Sequence, residues 1–352
     1  VLAAGGTAGH VFPALSIYQA LVDDGVKVHL FTDERGTRYA SDFAPEDVQV
    51  FPSGGLVSGS IRKRLTNLGR LASGLRLSRS ALKRLQPDAV IGMGGYAAVG
   101  PLVAARQLGI RNVLHEQNSV MGLANKATAP GADAVALSFD PTEGARGTTT
   151  VTGNPSRSAV VRIGEQPFRP PTADETFNIL VMGGSQGARS ISDNVPSACA
   201  ALSDDRRLRL HVTHQGRVED HARVAQAYTD AGVSHQVESF VDVPAELSRA
   251  HLFIGRSGAS TVCDVAVARR PAIYLPLLTH ADLQQLKNAN AVAVQDGALI
   301  HREDEAGPLE LSAAMTRLMD DGTQLQRMAD ASRRWSRPDA VAAILHLVYE
   351  PT

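Results

Sequence analysis

Two stretches of this chain repeat one design, and the repetition limits the folds open to it. Gly5–Pro13 reads G-G-T-A-G-H-V-F-P, between the apolar run Val1–Ala4 and the amphipathic stretch Ala14–Val22. Asn178–Gly187 reads N-I-L-V-M-G-G-S-Q-G, and a helix-like run follows from Ala188. Each is a strand, a glycine turn and a helix start. Glycine lets the backbone turn sharply and come close to a ligand, and the helix beyond offers unpaired N–H groups and its positive dipole end to an anion. Two such units about one domain length apart predict two similar halves facing each other, and 352 residues suffice for two domains of ordinary size.

The remainder alternates short apolar runs with helical periodicity. In the first half, strands are expected at Val1–Ala4, Val26–Phe31, Val48–Phe51, Ala89–Gly92, Asn112–His115, Ala134–Leu137 and Thr150–Thr152. Helices are expected at Ala14–Val22, Ile61–Leu85, Ala98–Leu108 and Leu123–Ala129. Gly153–Arg157 (G-N-P-S-R) and the Pro- and charge-rich stretch to Asp174 read as an interdomain linker. In the second half, strands are expected near Phe177–Met182, Leu208–Thr213, His235–Ser239, Leu252–Gly255, Ala272–Leu275 and Ala298–His301. Helices there fall near Ala188–Leu202, Asp220–Asp230, Pro244–Ala250, Thr261–Ala268, Asp282–Gln295, Pro308–Met319 and Asp339–Tyr349. Such alternation builds parallel sheets covered on both faces, whose ligands sit at the carboxyl ends of the strands.

Composition narrows the function classes. A net charge of −1 gives no reason to expect nucleic acid as a partner. No run approaches the roughly 20 apolar residues that cross a bilayer. Cys199 and Cys263 have no metal-ligand spacing and read as reduced, packed thiols in a cytoplasmic setting.

Several clusters carry chemistry. Gly5, Gly6 and Gly9 with Thr7 suit a phosphate or a sugar acceptor, and His10 reads either as a general base or as a packed, helix-capping histidine. Gly183–Gly187, with Ser185 and Gln186, suits a diphosphate; it lacks the Lys of a nucleotide-hydrolysing loop and a clean G-x-G-x-x-G. The second strand of that half ends in Thr213, His214 and Gln215 without the acid that would hold a dinucleotide ribose, so a nicotinamide enzyme fits poorly. Arg256–Asp264 (R-S-G-A-S-T-V-C-D) places cap-type residues before a helix, with Asp264 expected within about the first turn, able to accept ribose hydroxyls or simply to face the helix dipole. Gln284 and Gln285 suit sugar hydroxyls or a solvated helix start. Ile61–Leu85 holds eight Lys and Arg and no acid, with Leu at near-helical spacing. A basic amphipathic helix of this kind suits an anionic membrane surface; the alternative is a surface helix whose Leu face packs inward.

Taken together, G-G-T-A-G-H-V-F-P, G-M-G-G-Y (92–96), H-E-Q-N (115–118), G-N-P-S-R, G-G-S-Q-G-A-R, R-S-G-A-S-T and H-A-D-L-Q-Q-L-K-N-A resemble, in order and spacing and over essentially the whole chain, the MurG family of bacterial glycosyltransferases. The resemblance implies an α/β protein of GT-B fold, with two doubly wound, Rossmann-like parallel-sheet domains facing across a cleft. The first covers 1–156, with a final helix at 337–352 crossing back to it, and serves the acceptor and membrane side; the second covers 157–336 and serves the donor. The implied reaction moves N-acetylglucosamine, with inversion and without a metal or other cofactor, from UDP-N-acetylglucosamine to undecaprenyl-diphosphoryl-N-acetylmuramoyl pentapeptide (lipid I), at the cytoplasmic face of the bacterial membrane. His10 would be the catalytic base. Gly6, Gly9, Tyr96, His115 and Glu116 would serve the acceptor side. Thr7, Asn118, Arg157, Ser185, Gln186, Val241, Asp264, Gln284 and Gln285 would serve the donor. Ile61, Arg62, Lys63, Arg64, Leu65 and Leu68 would meet an anionic membrane as a peripheral contact. Two positions depart from the family pattern: Ala8 stands where a glycine is usual, and Asp264 where a Glu holds the ribose. A UDP-sugar epimerase or hydrolase of the same fold, or a non-catalytic UDP-sugar-binding protein, remains as the alternative.

Overall fold

The computed structural model describes residues 1–55, 61–184, 187–279 and 282–350, without the side chains of 61 and 63. The chain forms two compact units, Val1–Arg157 with Arg337–Thr352, and Ser158–Ser336.

The first unit is a seven-stranded parallel sheet of β1 (Leu2–Ala3), β2 (Leu30–Thr32), β3 (Val48–Val50), β4 (Ala89–Gly92), β5 (Arg111–Glu116), β6 (Ala134–Leu137) and β7 (Thr149–Val151), in the order β3-β2-β1-β4-β5-β6-β7. Side chains alternate across a strand, so both faces of a covered sheet must be apolar. Leu2, Leu30, Ile91, Val113 and Ala136 face Ile17 and Leu21 of α1 (Ala8–Asp23) and Ile344 and Leu347 of the C-terminal helix. Their strand neighbours Ala3, Phe31, Val90, Leu114 and Val135 face Leu82 of α2 (Ile61–Leu85) and Leu102 of α3 (Tyr96–Leu108). A short α4 (Leu123–Thr128) follows β5.

The second unit is a six-stranded parallel sheet of β8 (Phe177–Met182), β9 (Leu210–Gln215), β10 (Ser234–Glu238), β11 (Leu252–Gly255), β12 (Ala272–Tyr274) and β13 (Ala298–Ile300), in the order β10-β9-β8-β11-β12-β13. Its helices are α5 (Ser158–Glu165), α6 (Arg189–Ala200), α7 (Asp204–Arg209), α8 (His221–Asp230), α9 (Val243–Arg249), α10 (Ala259–Val267), α11 (Gln284–Ala293), α12 (Pro308–Asp320) and α13 (Gly322–Trp335). The chain then returns to the first unit as α14 (Ala340–Tyr349), where Arg111 Nη2 donates to the Leu347 carbonyl at 2.8 Å.

Each expected strand is present, with ends shifted by up to four residues. The helices differ more. The expected linker to Asp174 contains α5, whose Val160 is fully buried. The segment after α12 forms α13, started by Asp321, whose carboxylate accepts from the Gln324 amide at 2.8 Å. Both cysteines are free and buried, and burial pushes the Cys199 thiol up to about 12.

Candidate active site

In each sheet the strand order reverses once, between β1 and β4 and between β8 and β11. Connections from the two central strands leave in opposite directions there, which opens a crevice at their carboxyl ends. Both glycine turns emerge at these switch points.

At the first switch point, α1 starts at Ala8 and not at Ala14, which puts His10 in the first helical turn instead of at the end of a loop. Its Nδ1 lies 3.0 Å from the Gly5 carbonyl and 3.2 Å from Thr7 Oγ1. A carbonyl oxygen only accepts, so Nδ1 carries the proton and Nε2 keeps the basic lone pair. Burial lowers the His10 pKa from its ordinary value, the Gly5 bond and Asp33 opposing and Arg35 adding to the effect, so the ring is neutral at neutral pH. The turn after β4 closes on the same ring. Gly94 and Gly95 have φ of +83° and +73°, and a Cβ on Gly95 would come within 3.2 Å of His10 Cε1.

Asp33, at the end of β2, was not singled out by the sequence. It is buried, and its Oδ1 accepts from the amides of Gly6 (2.8 Å) and Gly36 (2.9 Å). Its Oδ2 accepts from Ser53 Oγ (2.7 Å) and Arg35 Nη2 (3.3 Å). Burial pushes this carboxyl up, but those bonds and the Arg35 charge outweigh it and hold the pKa below the usual range. Any acceptor contact of Gly6 is therefore made by atoms other than its amide N–H. The Gly6 N–H is spent on Asp33 and the Thr7 N–H on the Gly5 carbonyl (3.0 Å). Gly9 is exposed on the first turn of α1. Ala8 is buried there with ordinary helical φ, so the methyl that departs from the family pattern costs no backbone strain.

His115 and Glu116, expected to line the acceptor side, are buried at the end of β5 and bonded within the protein. His115 Nε2 donates to the Gly153 carbonyl at 3.1 Å and Nδ1 accepts from Gln117 Nε2 at 3.2 Å; burial, then the His10 charge, lowers its pKa to about 4. Gln117 Nε2 also reaches the Met93 carbonyl of the β4 turn. Glu116 accepts from the Asn118 and Gly122 amides, both at 2.9 Å, and from Asn125 Nδ2 at 2.7 Å. Burial raises its pKa, with those bonds opposing. Both side chains thus shape the loops around His10 and present nothing outward. Asn118 and Tyr96 are half-buried, and Tyr96 opens α3 with its ring against Gly55.

At the second switch point, the Gly187 amide donates to the Gly184 carbonyl at 2.9 Å. Ser185 and Gln186 themselves lie outside the described residues. A Cβ on Gly183 would stand 2.4 Å from the Ala188 nitrogen, so this close return of the chain requires glycine. Arg256, which the sequence presented only as part of a motif, fixes the surroundings. Its guanidinium is nearly buried and donates to the Leu275 carbonyl (2.7 Å), Glu303 (2.6 Å) and Ser190 Oγ in the first turn of α6 (2.6 Å). Asp264 falls six residues into α10, in its second turn and not its first, and is half-buried. α11 begins at Gln284, two residues later than expected. Gln285 Oε1 accepts from the Leu277 amide at 3.0 Å, so that oxygen is committed to its own loop. Val241 is buried while Phe240 beside it is 78% exposed. Arg157 closes the first unit and is half-buried.

α2 divides along its length. Toward its C-terminus Ser78, Ala81 and Leu82 are buried, whereas at its N-terminus Leu65 and Leu68 are 64% and 55% exposed beside the exposed Arg62 and Arg64. The inward-packed Leu face thus holds only for the second half. The side chains of Ile61 and Lys63 lie outside the described set. Among the described residues no helix is long and apolar enough to cross a membrane.

Residues 1–137 match the model of the glycosyltransferase family 28 N-terminal domain, and residues 178–344 that of the family 28 C-terminal domain. A Rhizobium johnstonii protein named UDP-N-acetylglucosamine–N-acetylmuramyl-(pentapeptide) pyrophosphoryl-undecaprenol N-acetylglucosamine transferase is 41% identical over 351 residues, 99% of this chain and 94% of that protein. A Mesorhizobium japonicum protein of the same name is 41% identical over 350 residues, 99% of this chain and 93% of its own. Among solved structures, Acinetobacter baumannii MurG superposes with a TM-score of 0.79 at 29% identity, covering 99% of this chain and 98% of its own. The UDP-GlcNAc 2-epimerase of Neisseria meningitidis reaches 0.67 at 13% identity over 98% of each chain, a likeness of fold alone.

Proposed function

The chain belongs to the MurG family within glycosyltransferase family 28, and from that membership we propose that it transfers N-acetylglucosamine from UDP-N-acetylglucosamine to the lipid-diphosphate-linked N-acetylmuramoyl pentapeptide for which its relatives are named. One observation carries the reading to the chemistry: at a topological switch point His10 is a neutral imidazole whose Nδ1–H is bonded to Gly5, leaving Nε2 as the base. Nε2 takes the proton of the acceptor 4-hydroxyl as its oxygen attacks the anomeric carbon, and UDP leaves with inversion. The second unit holds the donor. The turn carrying Ser185 and Gln186, with the start of α10, meets the diphosphate, where main-chain N–H groups offset its growing charge. Asp264 accepts the ribose hydroxyls one helical turn further in, Gln284 and the free part of Gln285 meet the transferred sugar, and the main chain at Phe240–Val241 meets the uracil. Thr7, Asn118 and Arg157 complete the donor contacts, and Tyr96 and Gly9 those of the acceptor. His115 and Glu116 act through the loops they hold.

The exposed Leu65 and Leu68 beside Arg62 and Arg64 support a peripheral contact with an anionic bilayer at its cytoplasmic face, where a lipid acceptor is met. The deciding experiment is turnover of labelled UDP-N-acetylglucosamine with and without a lipid-diphosphate-linked acceptor. Sugar transfer that requires the acceptor, and that His10→Ala lowers by roughly 10²–10⁴-fold, supports the reading. Epimerised or hydrolysed donor without any acceptor would overturn it in favour of the reaction class that shares only the fold.

A further inference from the structure

The peptide group joining Gly5 to Gly6 is bonded at both ends. Its carbonyl oxygen accepts from His10 Nδ1 at 3.0 Å, and its N–H donates to Asp33 Oδ1 at 2.8 Å. A single planar amide thus stands between a buried carboxylate and the imidazole. Hydrogen bonds in series polarise one another, and a carboxylate drawing on the N–H makes the carbonyl at the other end a stronger acceptor. We propose that Asp33 is a positioning residue for His10, acting through the Gly5–Gly6 peptide to fix the imidazole tautomer and to stabilise the imidazolium formed as the acceptor hydroxyl loses its proton. The inference rests on His10 being the base.

The balance is simple. The hydroxyl proton goes to His10 Nε2, and Nδ1 keeps its own proton on the Gly5 carbonyl. No proton crosses the amide, and Asp33 stays ionised throughout. Its other bonds, from the Gly36 amide, Ser53 Oγ and Arg35, hold the carboxylate in place during the cycle. The geometry also explains why the turn is glycine. A Cβ on Gly5 would stand 2.8 Å from Asp33 Oδ1 and 2.7 Å from Ala97 Cβ, and Gly6 has φ of +81°. Among the described residues, the charged groups facing His10 are Asp33 and Arg35 from the end of β2. His115, from β5, is neutral near pH 7 because its pKa lies near 4. Asp33 favours the imidazolium and Arg35 opposes it.

That opposition supplies a test with two signs. The pH dependence of kcat/KM is measured for the parent, Asp33→Asn and Arg35→Gln, together with the ¹⁵N-histidine NMR titration of His10 in each protein. Asp33→Asn keeps an acceptor for the Gly6 amide but loses the charge. It should lower kcat roughly 10-fold and move the acid limb and the His10 titration to lower pH by on the order of one unit. Arg35→Gln should move both to higher pH. The Nδ1–H tautomer should be retained in the parent and become mixed in Asp33→Asn. If His10→Ala abolishes transfer while Asp33→Asn leaves the acid limb, the NMR titration and the tautomer where they were, the relay is refuted and the base assignment stands. If His10→Ala keeps parental turnover, the base reading itself has failed. Should Asp33→Asn fail to fold, Arg35→Gln still decides, since an unmoved or downward titration refutes the charge coupling.

Discussion

Lowering the pH from 7 to 5 should weaken the first unit by an amount calculable from one residue. His115 is fully buried on β5, and burial lowers its pKa to about 4, against about 6.5 for a solvated imidazole in the unfolded chain. Between those two values the unfolded state binds the proton and the folded state refuses it, so stability falls as pH falls through that window. At pH 7 both states are largely neutral and the effect is small. At pH 5 the unfolded imidazole is almost fully charged while the folded one is not, and the difference is about 2 kcal/mol, from about 1.5 pH units at 1.36 kcal/mol each. His115→Gln removes the titration while offering an amide for the Gly153 and Gln117 contacts. The variant carries its own loss of packing, but that loss is present at both pH values and cancels in the difference. Urea unfolding with peptide-resolved hydrogen exchange, following β5, reads the first unit separately from the second, where Trp335 is the only tryptophan and His214 carries a similar shift. The parent should lose about 2 kcal/mol more than His115→Gln between pH 7 and 5. An equal loss in both proteins would mean that the imidazole is solvated or already protonated in the folded state, and the tautomer argued from the Gly153 and Gln117 bonds would go with it.

Two further outcomes follow from the geometry. Gly95→Ala forces a methyl onto backbone that is nearly confined to glycine (φ +73°, ψ 171°), at a cost of about 1–3 kcal/mol, and Gly109→Ala forces one onto left-handed backbone (φ +68°, ψ 23°), at about 1–2 kcal/mol. Only at Gly95 does the new Cβ meet His10 Cε1, at 3.2 Å, whereas Gly109 opens on empty space; kcat should drop roughly 10-fold or more in the first and stay parental in the second. Replacing Leu65 and Leu68 with Ser should reduce sedimentation with anionic vesicles while leaving unfolding within about 0.5 kcal/mol of the parent, because both side chains are already exposed. Leu82→Ala on the same helix should instead cost about 2–5 kcal/mol, because its side chain is fully buried; unchanged vesicle binding by the Leu65/Leu68 variant would remove the membrane role.

Much of the architecture was legible because parallel sheets write themselves into sequence as separated apolar runs. Each of those runs became a strand, and the two glycine turns landed at the two positions where strand order reverses. Local pattern could not say which strands are neighbours, and so gave no sign that the turns after β1 and β4 close on one histidine ring. Helix limits were poorly marked where the usual signals were absent. α1 starts at Ala8 behind Thr7, which makes no side-chain cap bond, and Pro13 inside it reads as a boundary that the first-turn geometry did not require. α5 was hidden in a stretch read as linker because its burial depends on helices distant in sequence. The bond that takes up the Gly6 amide was hidden for a related reason. A glycine turn before a helix advertises free N–H groups, but whether they are free depends on what the fold brings beneath them, and here that is Asp33, 27 residues away. The sequence by itself determined the two sheets and the family, and it singled out His10 as the candidate base. Only the tertiary structure decided which nitrogen of His10 is basic and which charge stands behind it. Burial and hydrogen-bond partners set those properties, and both come from residues that are neighbours in space and not along the chain.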